Sequence, residues 1–112
     1  MDCVFCKIAS GQIPAKILYQ DDMVVAFPDI NPAAPTHVLI IPKKHIPSLS
    51  DISGEDVSLL GHMIDVAGKL AEKEGVAEKG YRLVINSGSD AGQEIFHLHL
   101  HILAGRRLSK MG

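Results

Sequence analysis

Three histidines alternate with apolar residues near the carboxyl end of the chain. The segment is His97-Leu98-His99-Leu100-His101-Ile102. Side chains of a β-strand point alternately to its two faces, so the pattern predicts a strand with the imidazoles on one face and the apolar residues in a core. One histidine in such a strand would most often be structural. Three in strict alternation favour a chemical role.

Two chemistries suit imidazoles in this arrangement. Several histidines can bind a catalytic zinc ion, and a neutral histidine is a nucleophile with a pKa near neutrality. The loop before the strand, residues 87–93, contains glycine and small polar residues whose backbone N–H groups suit an anion. Beside this loop the histidine strand favours phosphate chemistry, and metal ligation remains open.

Length and charge restrict the function class. The 112 residues predict a single domain, 1–112, and 46% of them are hydrophobic, which is enough for a core. The net charge of −2 offers no basic surplus for a nucleic-acid backbone. The longest apolar run, residues 38–41, is too short to cross a membrane, and the amino-terminal segment does not resemble a secretion signal. We therefore expect a cytoplasmic protein that binds neither nucleic acid nor membranes.

Periodicity and turn residues predict two helices and five strands. Asp2 is expected to cap a short helix ending near Ser10, and Ser53 with Asp56 to open a long helix ending near residue 74. The strands are expected at residues 17–20, 23–27, 37–41, 81–86 and 95–103. Hairpin-length connections between strands indicate an α+β fold with an antiparallel sheet.

The long helix carries two apolar stripes. The first comprises Val57, Leu60, Ile64, Ala67 and Ala71, and the second Leu59, Met63, Val66 and Leu70. A helix that is apolar on two sides usually has two partners. One is expected to be the sheet, and the other the same helix of a second subunit.

The histidine segment resembles the signature of the histidine triad family, in which three histidines are separated by apolar residues. The resemblance extends over most of the chain and is closest to the bacterial type of the Hint branch, the histidine triad nucleotide-binding proteins. It is carried also by residues 27–32, 35–45 and 80–82, and by Asn86 before the glycine loop. Several separate blocks in the same order make the resemblance specific.

The resemblance implies a fold and an activity. The fold is a five-stranded antiparallel sheet with two helices, and two subunits join into a continuous ten-stranded sheet. The activity is hydrolysis of purine nucleoside 5′-phosphoramidates, or related α-phosphate esters and anhydrides, through a covalent nucleotidyl-histidine. Three alternatives remain open: a dinucleoside polyphosphate hydrolase, a nucleotide-binding regulator with negligible turnover, and a zinc-binding module that uses the triad as ligands.

The resemblance also implies roles for individual residues. His99 is the nucleophile, His101 stabilises the phosphoryl oxygens, and His37 supports the triad, of which His97 is the first member. Asp29 binds the two ribose hydroxyls with its two carboxylate oxygens, and Ile30 packs near the base. The remaining nucleotide-binding positions are Phe5, Ile8, Phe27 and Leu39 around the base, and Asn86, Gly92, Gln93 and Glu94 near the phosphate.

Two features depart from the animal members of the Hint branch. Glu94 stands where they carry serine, and we expect it to protonate the leaving amine. The tail from Arg106 to Gly112 lacks their tryptophan-proline ending. The chain also has the Cys-x-x-Cys motif of many bacterial relatives, which implies a structural zinc site formed by Cys3, Cys6, His45 and His97. Catalysis itself is expected to require no cofactor.

Overall fold

The computed structural model describes residues 3–112, and Asp2, the expected helix cap, lies outside them. The first helix, α1, covers Val4–Ala9, and its N-cap is Cys3, whose Sγ accepts a hydrogen bond from the Cys6 backbone N–H. The long helix, α2, covers Val57–Lys73. A short 3₁₀ turn, Gly54–Asp56, precedes α2 and carries the predicted capping box between Ser53 and Asp56.

The five predicted strands form one antiparallel sheet. They are β1 (Tyr19–Gln20), β2 (Val24–Pro28), β3 (Thr36–Pro42), β4 (Tyr81–Val84) and β5 (Leu100–Ala104). Their order across the sheet is β1-β2-β3-β5-β4, and every neighbouring pair is antiparallel. The predicted α+β class, with five antiparallel strands and two helices, is confirmed.

The two faces of the sheet are covered by different helices. On one face α2 packs on a core that includes Ala26, Ile40 and Ile102. On the other face α1 contributes Phe5 to a smaller cluster with Phe27. Because both faces are covered, the apolar runs of β2 and β3 are buried almost without interruption. No helix of the described residues is long and apolar enough to span a membrane.

The expected strand at residues 95–103 is shorter than predicted. β5 begins only at Leu100, which pairs with Ile40. Before it, the Leu98 N–H donates to the Ile46 carbonyl at 2.7 Å, outside any strand ladder. His97 and His99 therefore lie in an irregular segment, although the alternation of side chains persists: Leu98, like Leu100, is buried in the α2-side core.

The two apolar stripes of α2 have different surroundings. The second stripe packs in the sheet-side core together with Ala67 of the first, and Ala71 of the first is also buried. Val57 and Ile64 of the first stripe are exposed, at 61% and 54%. The expectation of one face on the sheet is confirmed, and part of the other face is unpartnered within residues 3–112.

Candidate active site and metal centre

A cavity of about 810 Å³ lies over the α1 side of the sheet. This volume suits a small-molecule ligand. Most of the residues predicted to bind nucleotide line the cavity: Phe5, Ile8, Phe27, Asp29, Ile30, Leu39, Asn86, Gly92, Glu94, His99 and His101. The cavity therefore has an apolar part, formed by side chains such as Phe5 and Leu39, and a polar part that includes His99 and His101.

The imidazole of His99 is held in one orientation. Its Nδ1 lies 2.8 Å from the carbonyl oxygen of His97, and only an N–H can donate to that oxygen. In the neutral ring the proton is therefore on Nδ1, and Nε2 carries the lone pair. Phe5 packs edge-on against the ring, with centroids 5.1 Å apart. His99 is thus a buried, oriented imidazole in a cavity wall.

A chain of hydrogen bonds also fixes the tautomer of His101. The Ala33 backbone N–H donates to Nδ1 of His37 at 3.0 Å, so the proton of a neutral His37 is on Nε2. That Nε2 lies 2.9 Å from Nδ1 of His101 and donates to it. The proton of His101 is therefore on its own Nε2, which is buried and has no hydrogen-bond partner among residues 3–112. An N–H without a partner in a cavity wall is suited to an anionic oxygen.

Burial keeps the imidazoles of His37 and His101 neutral. Burial, followed by the neighbouring imidazoles of His99 and His37, lowers the pKa of His101 to about 4. Burial likewise lowers the pKa of His37, and the Asp29 carboxylate partly opposes this shift. Both groups are therefore neutral at pH 7, as the hydrogen-bond chain requires.

Asp29 follows β2 at the rim of the cavity. One carboxylate oxygen, Oδ1, accepts the Asn31 backbone N–H at 2.8 Å. The other, Oδ2, lies 3.5 Å from Nε2 of His37. The two oxygens thus have different surroundings, and Oδ2 is the less constrained one. Beside Asp29, Ile30 is 92% exposed at the cavity rim, where it can pack on a bound ligand.

Gln93 is placed differently from its neighbours in the loop. Gly92 and Glu94 line the cavity, whereas the Gln93 side chain is buried beneath the loop. Its amide accepts from the Gly88 N–H and donates to the carbonyl oxygens of Pro47 and Ile95. Gln93 therefore shapes the loop and does not line the cavity.

His97 lies in a second cluster, outside the cavity wall. Its Nε2 donates to the Pro42 carbonyl at 2.7 Å, so Nδ1 carries the lone pair. This Nδ1 is 3.3 Å from Cys3 Sγ, 3.5 Å from Cys6 Sγ and 3.2 Å from His45 Nδ1. Of the triad, His97 thus contributes its carbonyl to His99 and its ring to the cysteine cluster.

The cysteine cluster has the chemistry of a zinc site. A tetrahedral zinc ion with two sulfur and two nitrogen ligands holds those atoms roughly 3.3–3.8 Å apart, close to the separations seen here. Two imidazole Nδ1 atoms at 3.2 Å repel each other unless a cation or a proton lies between them. A backbone acceptor for the second nitrogen, as His97 has in Pro42, is the usual support of a histidine ligand. The four residues fit the ion.

One wall of the cavity was not predicted by the motifs. The segment after α1, residues 13–16, lines it with Ile13, Pro14, Ala15 and Lys16. Pro28, Asn31 and Ile95 are further lining residues without a predicted role. Residues 13–16 carry no motif, and only the folding of the chain brings them to the cavity wall.

Comparison with known proteins gives consistent matches over the full length. The family described as "Scavenger mRNA decapping enzyme C-term binding" matches residues 2–111. The purine nucleoside phosphoramidase of Escherichia coli K12 is 53% identical over 110 residues, which cover 98% of this chain and 92% of the relative.

Solved structures give the same result. A histidine triad protein from Clostridium difficile is 49% identical, with a TM-score of 0.96 and coverage of 100% of this chain and 97% of that one. A HIT family hydrolase from Legionella pneumophila is 52% identical, with a TM-score of 0.94 and 96% coverage of both chains. A zinc-bound histidine triad family protein from Mycobacterium smegmatis is 34% identical, with a TM-score of 0.82 and coverage of 100% and 81%.

Proposed function

This chain belongs to the histidine triad (HIT) family of hydrolases, and we propose that it cleaves purine nucleoside 5′-phosphoramidates to nucleoside monophosphates through a nucleotidyl-histidine. One observation carries the proposal. Because Nδ1 of His99 donates to a backbone carbonyl, the neutral ring has its lone pair on Nε2, and His99 lies in the wall of a nucleotide-sized cavity. The similarity to the purine nucleoside phosphoramidase of Escherichia coli supports the substrate class.

In the first step, the Nε2 lone pair of His99 attacks the α-phosphorus. A phosphorus–nitrogen bond forms to His99 while the bond to the amine breaks. The amine leaves with a proton, supplied by water at the open end of the cavity or by Glu94, which lies in the cavity wall. Division of one difficult displacement into two easier ones is the gain of covalent catalysis.

In the second step, water attacks the same phosphorus, its proton passes to solvent or to the group that protonated the amine, and the bond to His99 breaks. The nucleoside monophosphate is released, and His99 recovers its lone pair. In both steps negative charge increases on the phosphoryl oxygens, and the Nε2–H of His101 is a prepositioned donor for them. His37 maintains that donor through its hydrogen bond to Nδ1.

The hydrogen-bond chain predicts the protonation state of His101. At pH 7 we expect the neutral tautomer with the proton on Nε2, persisting down to a pKa of about 4. The pKa of His101 should be lower still in the Asp29→Asn variant, because the Asp29 carboxylate favours the protonated form of His101. Long-range ¹H–¹⁵N correlation spectra during a pH titration measure both quantities. A proton on Nδ1 at pH 7, or a pKa near 6.5, would contradict the assigned chain.

The rest of the cavity suits the nucleoside. We assign the ribose hydroxyls to Asp29, with Oδ2 as the main acceptor because Oδ1 already accepts from Asn31. The base is assigned to the apolar slot of Phe5, Ile8, Phe27 and Leu39, with Ile30 over it. Asn86 and Gly92 are assigned to the phosphate side, near His99 and His101.

The proposal is tested by hydrolysis of adenosine 5′-phosphoramidate and its guanosine counterpart, each with a fluorescent amine. We expect release of the amine and equimolar nucleoside monophosphate. A dinucleoside polyphosphate hydrolase would instead prefer a dinucleoside substrate, and a regulatory binding protein would leave the bound nucleotide intact. The triad-as-ligand alternative is disfavoured, because the rings of His97 and His101 lie in two separate clusters.

We propose that the cysteine cluster binds structural zinc. Burial and the neighbouring Cys3 raise the pKa of the Cys6 thiol, so a bound cation is required to keep it as thiolate at pH 7. The zinc-bound histidine triad protein of Mycobacterium smegmatis supports this assignment, because it shows zinc in a relative with the same fold. The ion would be held by Cys3, Cys6, His45 and His97, and would stabilise the junction of α1 with the segment before β5 without contacting substrate.

We propose that the chain forms a homodimer. The exposed stripe of α2 and the outer edge of β4, which has no strand partner among residues 3–112, are the surfaces that a second copy would cover in a ten-stranded sheet. An Ile64→Glu variant should sediment as a monomer, because a carboxylate would be buried in the interface. Lys73→Glu is the control and should remain dimeric, because residue 73 lies on the opposite side of the helix from residue 64. Equal sedimentation of Ile64→Glu and the unaltered protein would disprove this interface.

A further inference from the structure

Lys16 is the only lysine or arginine in the cavity wall formed by residues 3–112. Its side chain is exposed and has neither a hydrogen bond nor an ion pair to another residue of that range. The mechanism above assigns it no task. A cation without a partner in a ligand cavity is free to contact the ligand.

The sheet topology places Lys16 far from the histidines. His101 on β5 is paired with Leu39 on β3, and Leu39 with Phe27 on β2. The next strand beyond β2 is β1, and the segment that contains Lys16 leads into it. The N–H of Leu18, just before β1, donates to the Ala26 carbonyl of β2 at 2.8 Å. β1 is thus three strand positions from β5, or roughly 14 Å at the usual spacing of about 4.8 Å, and Lys16 lies three residues before β1.

This distance sets the part of the ligand that Lys16 can contact. If the phosphate lies at His99 and His101 and the purine against Phe27, the far edge of the purine is directed toward the segment of Lys16. The lysine ammonium donates hydrogen bonds and accepts none. Guanine has a carbonyl oxygen at its six position, whereas adenine has an amino group there.

We propose that Lys16 determines base specificity, favouring purines with a six-position carbonyl, guanine and hypoxanthine, over adenine. The proposal rests on the proposed function and specifies its substrate class. A carbonyl accepts the ammonium proton, while the adenine amino group faces it with a second donor. The acidic residues of the cavity wall, Asp29 and Glu94, do not form an ion pair with Lys16 that would occupy it.

Four substrates and three variants test the proposal. The substrates are 5′-phosphoramidates of guanosine, inosine, adenosine and 2,6-diaminopurine riboside, which vary the six-position and two-position groups separately. The variants are Lys16→Met, Lys16→Arg, which retains a donor, and Lys43→Met, which removes an exposed lysine outside the cavity wall. The quantity measured is the ratio of kcat/KM values between substrates.

We expect guanosine and inosine to exceed the other two substrates by about fivefold or more. Lys16→Met should bring the ratio near one, Lys16→Arg should largely retain it, and Lys43→Met should leave it unchanged. An unaltered ratio in Lys16→Met would overturn the proposal. An equal loss for all four substrates would also do so, since it would place Lys16 at the phosphate. Absence of turnover with every substrate would contradict the proposed function itself.

Discussion

We expect the His99→Ala variant to lose hydrolysis of adenosine 5′-phosphoramidate by about 10⁴-fold or more, while AMP binding is retained. The loss is large because no other described group has the same position and lone pair: Nδ1 of His101 accepts from His37, and its Nε2 carries a proton. Release of the fluorescent amine measures turnover, and calorimetry measures AMP binding.

Two controls accompany this prediction. His99→Gly should be equally inactive, which shows that the loss does not depend on the alanine methyl group. His62→Ala removes a histidine outside the cavity, whose Nε2 contacts Asp21 Oδ2 at 2.6 Å, and should retain turnover. If His99→Ala binds AMP and still turns over at a substantial rate, His99 is not the nucleophile.

The second large effect concerns stability. We expect Cys6→Ser to lose bound zinc and to lower the Tm by roughly 10 °C or more, the shift that a loss of about 2 kcal/mol produces in a domain of this size. The loss arises because Cys6 is the ligand on α1 that contacts both histidines of the cluster, at 3.3 and 3.5 Å. Elemental analysis and thermal unfolding measure the two quantities.

The controls separate metal loss from a packing defect. Chelator-treated unaltered protein should unfold near the Tm of Cys6→Ser, and His62→Ala should keep its zinc. At temperatures well below the transition, Cys6→Ser should retain turnover, because the ion is not a participant in the chemistry. Less than about a tenth of an equivalent of zinc in protein purified without chelator would contradict the site.

The alternating pattern predicted more than the strand itself. The sheet and the two helices follow from the spacing of apolar residues along the chain. The side-chain alternation at residues 97–102 follows from the same spacing, because successive residues of an extended chain point to opposite faces. The sequence did not predict that β5 begins only at Leu100. That boundary depends on the Ile46 carbonyl, which takes the N–H of Leu98 and is 52 positions away in the chain.

Side-chain partners distant in sequence account for the other differences. Gln93 matches a phosphate-side position, but its amide bonds to Pro47 and Gly88 hold it beneath the loop. The sequence assigned His97 both to the triad and to the zinc site. In the structure its Nε2 donates to the Pro42 carbonyl, and this hydrogen bond directs its Nδ1 toward the cysteines. Lys16 carries no motif, and its place in the cavity follows from the path of the segment between α1 and β1.

The central claim is a covalent bond between His99 and the nucleotide. The most direct measurement is intact and peptide mass spectrometry of protein quenched in acid-free conditions during turnover of adenosine 5′-phosphoramidate. The account predicts one adenylyl group on the peptide that contains residue 99, its position fixed by fragmentation to His99, and no adduct in His99→Ala. Turnover at a normal rate with no adduct, or an adduct on His101, would contradict it.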